Sequence, residues 1–166
     1  MWRRTVICSL WVALVAGAAE ADAQVFLGFV DSGKRFAVRG AVEGAAARLS
    51  RPSCQAVLAD FADETGRNLL TPLIAAGRSP VDAFAGLQFV DHDTAPQCAT
   101  GKNLAFTQTG SQLIHVCGRE FVKRSRRNRK TAEIIVIHEF LHTLGLGENP
   151  PTSQTITAQV TLRCGG

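Results

Sequence analysis

Five consecutive residues, His138-Glu139-Phe140-Leu141-His142, constrain this chain more than any other feature. They stand in a stretch where Ile134, Ile137, Leu141 and Leu144 recur at helical spacing, and Gly145 follows as a stop. The pattern predicts a helix over 131–144 with one apolar stripe. On that helix the two imidazoles share a face, one turn or ~6 Å apart along the axis. Ile134-Ile135-Val136-Ile137 before them and Phe140-Leu141 between them predict burial, and buried histidines require polar partners. Any fold this chain adopts must bring such partners to that face.

Two neutral ring nitrogens at this separation can reach one divalent cation. Glu139, on the neighbouring face, can address a water beside it. Zn2+ is the expected cofactor, because it lowers the pKa of water to near 7, where a carboxylate can take the proton. The rest of the sequence bears on where such a centre would be housed. The 166 residues are 46% hydrophobic and 19% charged, which supports one packed domain and argues against disorder.

Trp2-Arg3-Arg4, an apolar run over 5–19 and Ala21-Asp22-Ala23 have the three-part layout of a secretory leader. The expected organisation is a signal peptide over 1–23 and one domain over 24–166, exported to a periplasmic space or the medium. The apolar run is too short for a membrane span, and no second one follows. Loss of Arg3, Arg4, Glu20 and Asp22 leaves the formal charge at +4. Of five cysteines, Cys8 goes with the leader. Cys54, Cys98, Cys117 and Cys164 lack C-x-x-C spacing and read as two disulfides rather than zinc thiolates, with three pairings open. Cys98 with Cys117 is preferred because the two flank a hairpin. Cys54 with Cys164 would then pin the C-terminus.

Along the domain, 25–30 reads as an edge strand or an irregular start, and 41–49 as an Ala-rich helix. A second helix is expected after Ser50, with Pro52 in its first turn, Val57, Leu58 and Phe61 on its stripe and Gly66 at its end. Short helical pieces follow over 68–76 and 80–85. Residues 87–90 are strand-like, and 104–107 with 112–116 form a hairpin around Gln108-Thr109-Gly110-Ser111, closed by Gly118. The basic run 123–130 reads as a solvated loop. In an exported chain it does not indicate nucleic acid. The tail after Pro150-Pro151 reads as short. Asp91-His92-Asp93 reads as a polar turn, with a second metal site as the alternative.

Residues 138–148, His-Glu-Phe-Leu-His-Thr-Leu-Gly-Leu-Gly-Glu, resemble the active-site segment of zincin metallopeptidases, and within that group the metzincin pattern H-E-x-x-H-x-x-G-x-x-H. The resemblance covers these eleven residues closely. It implies zinc on His138 and His142, Glu139 as general base, a sharp turn at Gly145, and Glu148 in the position of a third ligand, where the family has His or Asp. Residues 149–166 hold no His, Asp or Glu, so Glu148 is the last such group in the chain. Asp91, His92, Asp93, His115 and Glu120 remain the upstream alternatives. Met1 is the only methionine and there is no tyrosine, so the metzincin methionine turn and site tyrosine have no counterpart after the leader.

By the same resemblance the fold is expected to be α+β: a single zincin-like domain with a small sheet, an active-site helix and further N-terminal helices. Residues 113–117 would form the rim strand whose free edge takes a substrate peptide. His115 is expected to be an ordinary strand histidine, the alternative being stabilisation of the oxyanion. Arg119 and Arg163 are weaker candidates for that task. The implied activity is hydrolysis of peptide bonds by a monomer acting on a peptide or protein substrate. The alternative is an exported binding or host-interaction protein whose zinc site is structural or inactive.

Overall fold

The computed structural model describes residues 25–166, so the leader expected over 1–23 lies outside the described residues. The chain opens with strand β1 (Phe26–Gly28) and enters helix α1 (Ser32–Leu49). This helix starts well before residue 41. Asp31 caps it by accepting the Lys34 amide at 2.7 Å, and Val38 extends the buried stripe of Ala41, Val42, Ala45 and Leu49 toward the N-terminus.

The helix expected to run from Ser50 to Gly66 is instead two single turns, α2 (Pro52–Gln55) and α3 (Val57–Asp60). It stops at Phe61, whose backbone is extended. The cause is local. The Asp63 carboxylate accepts the amides of Thr65 and Arg67 and offers the chain a turn in place of helix. Gly66 sits in that turn at φ +78°. Then come α4 (Leu70–Ala75) and α5 (Pro80–Ala85), the latter held by a reciprocal Ser79–Asp82 capping box.

Next are β2 (Gln88–Asp91), β3 (Ala105–Thr107) and β4 (Leu113–Val116). They join β1 in one mixed sheet of order β1-β2-β4-β3, with β3 antiparallel to β4 and the other pairs parallel. The fold is therefore α+β around a small four-stranded sheet. The hairpin forms as its sequence predicts, but β4 is not a rim. It lies inside the sheet because β2 pairs with it, and β3 takes the edge.

Three helices complete the chain: α6 (Gly118–Arg127), α7 (Arg129–Thr143) and α8 (Ser153–Cys164). Much of the basic run is thus helix rather than loop. Lys and Arg are good helix formers, and buried Phe121 anchors α6 while its cations face solvent. Asn128 ends α6 and caps α7, accepting the Thr131 amide at 3.2 Å. The tail is likewise a helix rather than a short extension. Thr152 caps α8, and Ile156, Val160 and Cys164 form its buried stripe.

One contiguous core joins Phe89, Ile114 and Val116 of the sheet to Ile137, Phe140 and Leu141 of α7 and to α1. Phe84 of α5 meets Phe140 edge-on, with centroids 5.4 Å apart. α1 and α7 approach closely at Gly44, where a Cβ would overlap the Glu133 carboxylate. Buried Glu133 is paired with Arg48 at 2.7 Å and Arg129 at 3.1 Å, so the charge that crosses this contact is compensated.

Both disulfides take the preferred pairing, Cys98–Cys117 and Cys54–Cys164. Such bonds persist in oxidising, extracytoplasmic compartments. The second ties α8 to α2. Asp60 reinforces it by accepting two bonds from Arg163 at 2.7 Å each and one from Gln159 at 2.6 Å. Among the described residues no helix is long and apolar enough to cross a membrane.

Candidate metal centre

α7 carries His138, Glu139 and His142 on a buried helix, and all three side chains are almost fully enclosed. The histidine Nε2 atoms point at each other across 3.1 Å. Past the helix, Gly145 adopts φ +105°, a conformation that strains other residues, and the chain folds back on the last turn. Buried Leu146 anchors the fold-back by its amide to the Leu141 carbonyl at 3.2 Å. Two consequences follow at the histidines. The Leu146 carbonyl accepts from His142 Nδ1 at 2.7 Å. Glu148 reaches the pair, its Oε1 lying 3.5 Å from His138 Nε2 and 3.4 Å from His142 Nε2.

A carbonyl only accepts, so His142 must carry its proton on Nδ1 and present a lone pair at Nε2. His138 Nδ1 has its own partner, the Thr157 hydroxyl of α8, at 2.9 Å. Two ring nitrogens and a carboxylate oxygen thus converge within 4.8 Å of one another, a set of atoms that could hold a cation. Burial, reinforced by the proximity of His142, holds His138 well below the ordinary imidazole range, so protonation is a poor way to supply it. A divalent cation fits the donor set, and imidazole with carboxylate suits zinc and its neighbours.

Glu139 lies beside this group without joining it. Burial, and secondarily the charge of Glu148, push its carboxyl up to about 8, with the Thr107 amide of β3 offsetting part of the rise. In protein stripped of cation, this raised value makes folding favourable with a neutral acid below about pH 4.5. The advantage is lost as pH climbs toward 8, because the unfolded carboxyl ionises first. The loss is on the order of 5 kcal/mol. Chelator-treated Glu139→Gln, which cannot ionise, should therefore melt above chelated wild type by a margin that widens from pH 5 to pH 8. A margin independent of pH would contradict the burial argument.

The helix and β3 bound a cleft of about 350 Å³ lined by Ala105, Thr107, His138, Glu139, His142 and Glu148, among others. The hairpin loop closes one end, its Gly110 amide donating to the His142 carbonyl at 2.8 Å. Cys117 N–H donates to Leu104 O, so by alternation the main-chain groups of Ala105 and Thr107 face away from β4. A larger groove of about 820 Å³ lies between β1, α1 and α5, but none of these chemical groups lines it.

Of the expected site residues, His138, Glu139, His142 and Glu148 come together, and the upstream alternatives go elsewhere. His115 lies on the outer face of the sheet, its Nδ1 2.9 Å from His92 Nδ1 and its ring stacked on Phe106. It has no contact with the cleft's polar groups, so the oxyanion alternative fails. Asp91 and Asp93 both accept from Lys34 at 2.6 Å, and Arg119 pairs with Asp93, leaving no metal cluster there. Glu120 pairs with Lys123, and Arg163 is committed to Asp60. Thr157 escaped the sequence reading; the cap at Thr152 and the Ile156/Val160 spacing were the available signals that its segment is a helix.

Glu148 is partly exposed, and of the three candidate ligands it is the one held by the least structure. Glu148→Ala should retain the fold but weaken zinc binding by more than the roughly 10- to 100-fold that follows loss of an outer-shell partner, measured by competition with a chromophoric chelator. Unchanged affinity would move the third ligand elsewhere. No family model, curated protein or solved structure matches this chain.

Proposed function

We propose that this chain is a zinc-dependent endopeptidase of zincin type, exported before it acts. The observation that carries the reading is Glu139: an acid buried beside a two-histidine, one-carboxylate cluster, with one offsetting amide and, among the described residues, no ion pair. A purely structural metal site has no need of such a group, and burying it lowers stability. His138, His142 and Glu148 would hold the ion. When bound, zinc supplies Lewis acidity toward a carbonyl and makes water a usable nucleophile near neutral pH.

The protein's own groups supply the rest. Glu139 accepts the proton as water oxygen bonds to the peptide carbon, then delivers it to the leaving nitrogen as the C–N bond breaks. Water is consumed, and a carboxyl and an amine are released. Among the described residues β3 pairs with β4 alone, so its outer edge, where the Thr107 amide already meets Glu139, can still offer the main-chain groups of Ala105 to an extended peptide and lay it along the cleft. The reading thus shifts the expected rim from 113–117 to Ala105–Thr107. A cleft open beside three ligands also fits a catalytic rather than a closed structural centre.

The test is the metal content of the purified protein, read beside its digestion of casein with and without a chelator. One zinc per chain and hydrolysis that stops on chelation and returns with zinc are expected. A chain that holds zinc and cleaves nothing would instead be the exported binding protein.

A further inference from the structure

The cations of α6 gather on one side of the helix. Arg119, Lys123, Arg126 and Arg127 stand at i, i+4, i+7 and i+8, so all four share a face about two turns or ~12 Å long. All four are exposed, while Gly118, Phe121, Val122 and Ser125 take the other side and buried Phe121 pins it to the core. Acidic neighbours offset only half of the charge. Arg119 meets Asp93 and Lys123 meets Glu120, each at 3.5 Å, whereas among the described residues Arg126 and Arg127 have no ion pair.

An exposed phenyl ring accompanies these cations. α6 packs along α1: its first residue, Gly118, lies against the Lys34 side chain, and Arg129, just past its end, donates to the Gly40 carbonyl at 2.9 Å. Phe36 stands between those two points on α1, on the side turned away from buried Val38, Ala41 and Val42, and it is 81% exposed. We propose that the cationic face of α6 and Phe36 together form a docking surface for a bilayer that carries anionic phosphate headgroups. Arginine forks match phosphate oxygens in pairs, and the phenyl ring enters the headgroup layer beside them. The contact is peripheral, as it must be for helices none of which, among the described residues, can span a membrane. A soluble polyanion would engage the cations but leave the ring in water, so Phe36 is what favours the bilayer. None of these five residues lines the cleft beside His138 and His142, so the surface does not depend on the metal-centre reading.

Co-sedimentation of the purified protein with vesicles of phosphatidylcholine alone, or of equal parts phosphatidylcholine and phosphatidylglycerol, tests it. The protein should pellet with the mixed vesicles at low salt, come off as salt rises, and stay in solution with phosphatidylcholine alone. Each cation at such a surface contributes roughly fivefold to binding, so Arg126→Gln with Arg127→Gln should weaken it about 25-fold. Arg67→Gln with Arg78→Gln removes the same charge from the loops flanking α4 and should leave binding within about twofold of wild type. Phe36→Ser should weaken vesicle binding about tenfold and leave retention on heparin unchanged. No pelleting with the mixed vesicles, equal pelleting with both kinds, or equal losses in the two charge variants would overturn the proposal. A Phe36 variant that binds vesicles as wild type does would also overturn it, making the face a site for soluble polyanions. A chain that takes up no zinc would remove the metal centre and leave this result standing.

Discussion

Glu139→Gln, purified with one zinc per chain, should lose peptide hydrolysis by about 10²- to 10⁴-fold, the usual contribution of a positioned proton-transfer group. Glutamine keeps the size and shape of the side chain and its contact with the Thr107 amide, but it cannot take up a proton at any working pH. The three prospective ligands are separate groups, so zinc content should not change. That combination, metal kept and activity lost, separates a failed base from a damaged site. A variant with more than a tenth of wild-type activity would sink the assigned role. Loss of zinc together with activity would mean that Glu139 holds the centre together rather than moving protons within it.

The second large effect concerns the frame. Replacing Cys54 and Cys164 together by Ala should lower unfolding stability by on the order of 4–5 kcal/mol, since the bridge joins residues 110 apart. Alanine is the apt substitution because both cysteines are fully buried and a serine hydroxyl would need a partner. Cys98 and Cys117, only 19 apart, should cost about 3 kcal/mol when removed the same way. Urea unfolding of the two double variants measures both, and equal midpoints would contradict the loop-length argument. The long bridge should also matter to the metal. It fastens α8, and α8 carries the hydroxyl that meets His138. Zinc affinity should therefore fall in the Cys54/Cys164 variant under conditions where it is still folded, and hold in the other.

Much of the candidate site is readable from order along the chain because its geometry is short-range. A four-residue interval on a helix sets where His138 and His142 stand, and Gly145 permits the turn that returns Glu148 to them three residues later. The hairpin is equally local, and its closeness makes Cys98–Cys117 the natural bridge. α6 and α8 were lost for a different reason. In α6 a run of cations masks a helix whose burial rests chiefly on Phe121, and in α8 a double proline draws attention from the cap and stripe that follow.

Residue spacing alone determined that one buried helix would carry two imidazoles and an acid on adjoining faces; the return of Glu148 behind them was implied by the likeness of residues 138–148 to the metzincin segment. Tertiary structure decided what surrounds that helix: which strand lies at the free edge, that His115 faces away, and that Thr157 reaches the first imidazole. The difference is physical. A helix fixes neighbours through its own repeat, whereas β2 enters beside β4, and α8 folds back over α7, only because doing so buries apolar surface far apart in the chain. No local pattern encodes that choice.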